Sequence, residues 1–319
     1  MVPGIGEIEV GAGVVYEVMS PTAAYCWPLL NQRLGGEVWV KHENQTPIGA
    51  FKLRVGLVYF ADLHQGGTCK AVVTATRGNH GQSVAFSARR YGLSATVVVP
   101  LGNSVEKNAA MRGLGAKLVE VGEDFQAARE EAARLAEESG GHMVPSFHPL
   151  LVRGVASYAL ELFRGVEPLD RVYVPIGLGS GICGTIAVRN ALSPKTKVIG
   201  VVSAEAPAYS VSFRTRTATE LPVTTRLADG MACRRPEPEA LDILWRYADE
   251  IVEVSDEEVA EGMRMVFECT HNCAEGAGAA AIAAIAQSRD AIQGKRVGAV
   301  ISGGNVDREV FARVLAGES

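Results

Sequence analysis

Four short stretches carry residue types that could do chemistry. In "IGAFKLR" (48–54), Lys52 stands between Phe51 and Leu53, just after Gly49 and Ala50. A lysine pressed among apolar side chains loses hydration, and its pKa falls toward values at which the amine acts as nucleophile or base. A snorkelling surface lysine gives the same local pattern, so its meaning depends on the rest of the chain. In "VTATRGNHGQSVAF" (73–86), a β-branched run leads through Thr76, Arg77, Gly78, Asn79 and His80 into a helical pattern. Unpaired amides at such a helix start hold an anion such as a carboxylate, and Asn79 adds a hydrogen bond; a plain capped turn has the same composition.

In "YVPIGLGSGICG" (173–184), Gly177, Leu178, Gly179, Ser180 and Gly181 lie between a strand and a helix pattern, where glycines let the backbone approach a phosphate closely. Gly179 to Gly184 also reads G-x-G-x-x-G, and Glu205 ends the next strand where a ribose-binding acid would sit. A nicotinamide-dependent oxidoreductase is therefore the competing reading. In "VISGGNVD" (300–307), Ser302 ends a strand beside Gly303, either as a tight turn or as a hydroxyl aimed into a cofactor pocket. "CTHNC" (269–273) fits no standard zinc spacing and reads as helical, where Cys269 and His271 diverge; no metal is expected there.

The elements that must position these residues alternate regularly. Val- and Ile-rich runs at 71–76, 94–100, 116–122, 171–176, 197–205 and 297–302 are separated by Ala-rich helical patterns. Such strands, nearly continuous in apolar residues, predict an α/β fold with parallel sheets covered on both faces. "GGN" (303–305) is expected to turn into a last helix, and "RRPEPEA" (234–240) reads as a surface loop. The compact βα set at 71–146 predicts a small substrate-loop domain inserted in a large cofactor-binding domain, residues 1–70 and 147–319.

The length of 319 residues suits one large or two interleaved domains. Hydrophobic content of 47% and charged content of 21% are those of a globular protein. A net charge of −5 and a pI near 5.8 argue against nucleic-acid or anionic-membrane partners. No basic leader or membrane-spanning run is visible, so a cytoplasmic location is expected. The six scattered cysteines suggest reduced, mostly buried thiols.

A buried lysine near 50, an anion loop near 78, a phosphate loop near 179 and a strand-end serine near 302 suit pyridoxal phosphate. In that order, the sequence resembles the pyridoxal-phosphate enzymes of the tryptophan-synthase β fold, most closely the threonine dehydratase and serine racemase family, along nearly the whole chain. The resemblance implies Lys52 as the Schiff-base residue, with Phe51 beside it. It makes "TRGNHGQS" the substrate-carboxylate loop (Thr76 to His80), with Asn79 also beside the cofactor. "GLGSG" becomes the phosphate cradle, and Ser302, followed by Gly303, the partner of the pyridine nitrogen. "ADGM" (228–231, with Gly230) and "EGAGA" (275–279, with Glu275) match further family segments. The implied reaction is loss of water from a β-hydroxy amino acid of the threonine or serine type, giving a 2-oxo acid and ammonia, with Lys52 taking the Cα proton. A homodimer is usual for relatives, and a small amino acid is the expected partner.

Departures from the family pattern sharpen the expectation. Ile48 and Ala50 replace hydroxyl residues and lean toward a bulkier substrate such as phenylserine. Arg77 stands where racemases carry a serine; a guanidinium does not readily release a proton, which disfavours racemisation. Arg77 is instead read as an anchor for the substrate carboxylate, a distal acid as in 3-hydroxyaspartate, or an aromatic β-substituent, or as a solvent-facing residue. Phe125 is read as lining the substrate pocket or as core. Val202 and Ala208 stand where relatives bind a divalent metal, so that site is expected to be missing. The chain stops at Ser319 without a regulatory domain, which suggests a catabolic or specialised enzyme.

Overall fold

The computed structural model describes residues 2–318. Its strands, in chain order, are β1 (Ala24–Cys26), β2 (Glu37–His42), β3 (Ala71–Ala75), β4 (Ser94–Val99), β5 (Lys117–Glu120), β6 (His142–Met143), β7 (Arg171–Pro175), β8 (Lys197–Ser203), β9 (Glu250–Val254) and β10 (Arg296–Ile301). They form two sheets, a six-stranded one ordered β1-β2-β10-β7-β8-β9 and a four-stranded one ordered β5-β4-β3-β6. Every pairing is parallel except that of the short edge strand β1 with β2. The strands of the smaller sheet all come from residues 71–143.

Before the smaller sheet the chain forms α1 (Ile5–Tyr16), α2 (Pro28–Leu34) and α3 (Lys52–Gln65). Within it run α4 (Asn79–Arg90), α5 (Val105–Gly113) and α6 (Phe125–Ser139). The remainder adds α7 (Pro149–Gly165), α8 (Ser180–Leu192), α9 (Ala208–Thr215), α10 (Pro238–Tyr247), α11 (Asp256–Thr270), α12 (Gly276–Gln287) and α13 (Arg308–Leu315). Two boundaries differ from the sequence reading. The last helix begins only at Arg308, because Asn305 and Asp307 are engaged in contacts outside it. The "CTHNC" stretch is not helical throughout: α11 ends at Thr270 and His271 takes a left-handed φ of 54° as its cap.

Strand residues such as Val172, Val198, Val297 and Ala299 are fully buried, each Val contributing ~1.5–3 kcal/mol of apolar burial. α12 ("GAGAAAIAAIAQ") is buried over its first ten residues and packs on the larger sheet and α11. Its glycine and alanine side of small residues allows this depth, and at Gly278 a Cβ would run into the Gly303 carbonyl. No helix among the described residues is long and apolar enough to cross a membrane.

Neighbouring strands β2, β10 and β7 end beside one another, and their carboxyl ends lead toward Lys52, Ser302 and Gly177 respectively. Open α/β sheets bind ligands at such a switch point. Behind Lys52 a buried ion network stiffens the junction of β2 and α3. Arg54, with no exposed surface, donates to Glu43 Oε2 at 2.7 Å and Glu161 Oε1 at 2.6 Å, while Lys41 donates to Glu161 Oε2 at 2.6 Å.

Candidate active site

Lys52 opens α3, so its amine lies at the positive end of the helix dipole as well as among apolar groups. Burial pushes its pKa down to about 8, and among the described residues it has no carboxylate within ion-pair distance. The segment is fastened from both sides. Phe51 N donates to Ser302 O at 3.0 Å, Ala50 forms a β-bridge with Gly303, and Ser83 Oγ of α4 donates to the Lys52 carbonyl. The Phe51 ring stands edge-on to Tyr158 at 6.3 Å between centroids, and Tyr158 donates its hydroxyl to Gly181 O at 3.0 Å. Lysine, strand-end serine and glycine loop are thus one packed unit.

The loop between β3 and α4 faces the same place. Thr76 is turned inward: its hydroxyl accepts from Gly78 N at 2.9 Å and Gly81 N at 3.3 Å, and its amide donates to Val98 O. The amides of Arg77, Asn79 and His80 find no protein acceptor among the described residues, so these three are the donors left for an anion. His80 is buried with both ring nitrogens unpartnered; burial, and next the charge of Lys52, push its pKa down to about 3. It is therefore a neutral imidazole at pH 7. Asn79 donates to Glu275 Oε1 at 2.6 Å and accepts from Asn305 at 2.8 Å. Arg77 is exposed and makes no ion pair among the described residues.

The glycine loop joins β7 to α8. Gly179 has a left-handed φ of 96°, and no side chain caps the first amides of α8. A Cβ at Gly177 would collide with the Gly230 carbonyl, and one at Gly179 would come within 2.7 Å of Ala240 Cβ. Tyr209 holds the loop from outside, donating to Leu178 O at 2.9 Å. Ser302, almost fully buried, has its hydroxyl 3.4 Å from Ala277 O. Gly230 lies against Ala277 as well, so Gly177, Gly230 and Ser302 converge on the start of α12.

Packing gives several residues singled out in the sequence their surroundings. Phe125 opens α6 and, half-buried, packs against the Val73, Val98, Ala128 and Ala132 cluster of the smaller sheet. Ile48 is buried in a cluster with Val15, Leu53 and Leu57. Glu205 accepts from Ser203 Oγ at 2.9 Å at a strand end, and Gly184 is where α8 meets the Ala156 backbone of α7; both serve packing and capping. Val202 and Ala208 are buried apolar side chains. Sequence reading missed Lys107, and gave no role to Asp229 and Asn305 within the "ADGM" and "GGN" segments it singled out. The available signal was a lysine three residues after the Ser104 cap, in a first turn whose dipole disfavours a cation.

The residues fit pyridoxal phosphate. An unpartnered amine with a lowered pKa would carry its aldehyde, the uncapped start of α8 with its crowded glycines would cradle its phosphate, and Ser302 would meet its ring nitrogen. Comparison with known proteins agrees. Residues 16–303 match the model of the pyridoxal-phosphate dependent enzymes. The chain is 33% identical to the L-threonine ammonia-lyase of Thermotoga maritima over 97% of its own length and 77% of that protein's. It is 29% identical to the L-threo-3-hydroxyaspartate ammonia-lyase of Saccharomyces cerevisiae over 100% and 98%. It spans only 60% of the biosynthetic L-threonine dehydratase of Salmonella typhimurium. Among solved structures, the processed threonine deaminase isoform 2 of Solanum lycopersicum superposes with a TM-score of 0.90 at 28% identity, covering 98% of this chain and 93% of that one. The chain belongs to the pyridoxal-phosphate-dependent enzymes, in the fold-type II group of threonine dehydratases and serine racemases.

Proposed function

We propose that the chain is a lyase that converts a β-hydroxy-L-amino acid to a 2-oxo acid and ammonia, with Lys52 as cofactor-bearing lysine and Cα base. The observation that carries this reading is the placement of Lys52 at the start of α3, its segment fastened to Ser302 and Gly303, with burial lowering the pKa of its amine. When bound, the cofactor ring supplies the sink for the electron pair left at Cα. The amides of Arg77, Asn79 and His80 bind the substrate carboxylate. Neutral His80 adds no competing positive charge beside the amine. Burial lowers the pKa of the Lys52 amine, which favours the free base that can take the Cα proton.

Arg77 supports elimination over racemisation, because a guanidinium does not readily release a proton to a carbanion at neutral pH. Its exposed, unpaired charge beside the loop also supports an acidic β-substituent, as in 3-hydroxyaspartate, as the second substrate to try. Ammonia release from threonine, serine, phenylserine and 3-hydroxyaspartate is to be measured for the wild type, Lys52→Ala and Arg77→Ala. Loss of all release in Lys52→Ala, and a changed preference among the four in Arg77→Ala, are expected. Undiminished release by Lys52→Ala would refute the assignment, and an unchanged profile would remove Arg77 from the pocket.

A further inference from the structure

We propose that Lys107 is a positioning residue that sets the substrate-carboxylate loop by tying it to two acids of the larger unit; this rests on the loop role given above. Lys107 is 6% exposed, in the first turn of α5. Its stem lies directly under Gly78, where a Cβ would collide with Lys107 Cδ. Its amine reaches across to Asp229 Oδ2 at 2.6 Å and Glu275 Oε2 at 3.1 Å. Glu275 in turn accepts from Asn79, the next residue of the same loop. Gly78 therefore rests on the lysine stem, and Asn79 is aimed by the carboxylate that the lysine holds.

The cost of this placement argues that it is used. A buried cation near a helix N-terminus opposes both the helix dipole and its own hydration. Burial opposes the charge of Lys107, yet Glu275 and Asp229 together raise its pKa above the ordinary lysine value. The backbone under it is fixed as well. Ser104 Oγ accepts from Lys107 N at 3.1 Å and donates to Asp307 Oδ1 at 2.6 Å. Asp307 also accepts from Glu106 N at 3.2 Å, while Glu106 accepts from Arg308 N at 2.9 Å. The first turns of α5 and α13 so cap one another across the two units, and Lys107 projects from that joint.

Lys107→Met keeps the stem under Gly78 and removes the charge. In the cofactor-loaded enzyme, KM for the best amino acid of the panel should rise about tenfold or more, the change that ~1.4 kcal/mol of lost alignment produces, with kcat far less affected. In the cofactor-free protein, hydrogen–deuterium exchange over 76–82 should accelerate while that of α8 and α12 stays put. Lys107→Arg should recover most of both losses, and Asp229→Asn should reproduce them in part. Wild-type KM together with wild-type exchange in Lys107→Met, or a Lys107→Arg enzyme as impaired as Lys107→Met, would overturn the proposal. A wild type that releases no ammonia refutes the functional reading instead, and the exchange data still decide whether Lys107 sets the loop.

Discussion

Replacing Lys52 with methionine should make the cofactor-free protein more stable, even though it should end catalysis. The amine has an ordinary value of 10.5 and is held at about 8 by burial. At 1.36 kcal/mol per pH unit, carrying the proton in the fold costs at most ~3–4 kcal/mol. The residue is half-buried, so water screens part of this, and ~1–2 kcal/mol is the expected gain at pH 7. The sign follows from linkage. Below pH 8 the lysine is charged in both folded and unfolded chains and the penalty is complete. Between about 8 and 10.5 the folded protein releases its proton first, so the unfolded chain binds more protons and wild-type stability rises with pH. The advantage of Lys52→Met should therefore shrink across that window and vanish above it. Urea unfolding of both cofactor-free proteins at pH 7, 9 and 10.5, followed by circular dichroism, measures the difference. A variant no more stable than wild type at pH 7, or a gap independent of pH, would refute the claim that the fold holds this amine at a cost.

Two further substitutions test the frame of the site. Gly177→Ala places a methyl group on the Gly230 carbonyl, so the purified protein should retain less pyridoxal phosphate and lose ~1–3 kcal/mol of stability; wild-type visible absorbance would contradict the cradle. Arg54→Met leaves Glu43 and Glu161 buried with the Thr22 donors and, as paired cation, Lys41 alone, at an expected cost of ~3–5 kcal/mol in urea unfolding. A loss below ~1 kcal/mol would show that those carboxylates take up protons or water freely.

Sequence alone was sufficient for the alternation of strands and helices, because β-branched runs and glycine turns act over a few residues. It was also sufficient to place Lys52 at a helix start, the loops at 76–80 and 177–181 between a strand and a helix, and Ser302 just past a strand end. Tertiary structure decided what those residues face. Local pattern cannot tell that Thr76 spends its hydroxyl on its own loop, or that Ile48 is buried beside Val15 and Leu57. Nor can it bring Lys107 to Asp229 and Glu275, partners separated by more than a hundred residues of chain. Those contacts exist only because the smaller sheet folds back onto the carboxyl ends of the larger one, where burial raises the energy of every unpaired charge and so selects its neighbours.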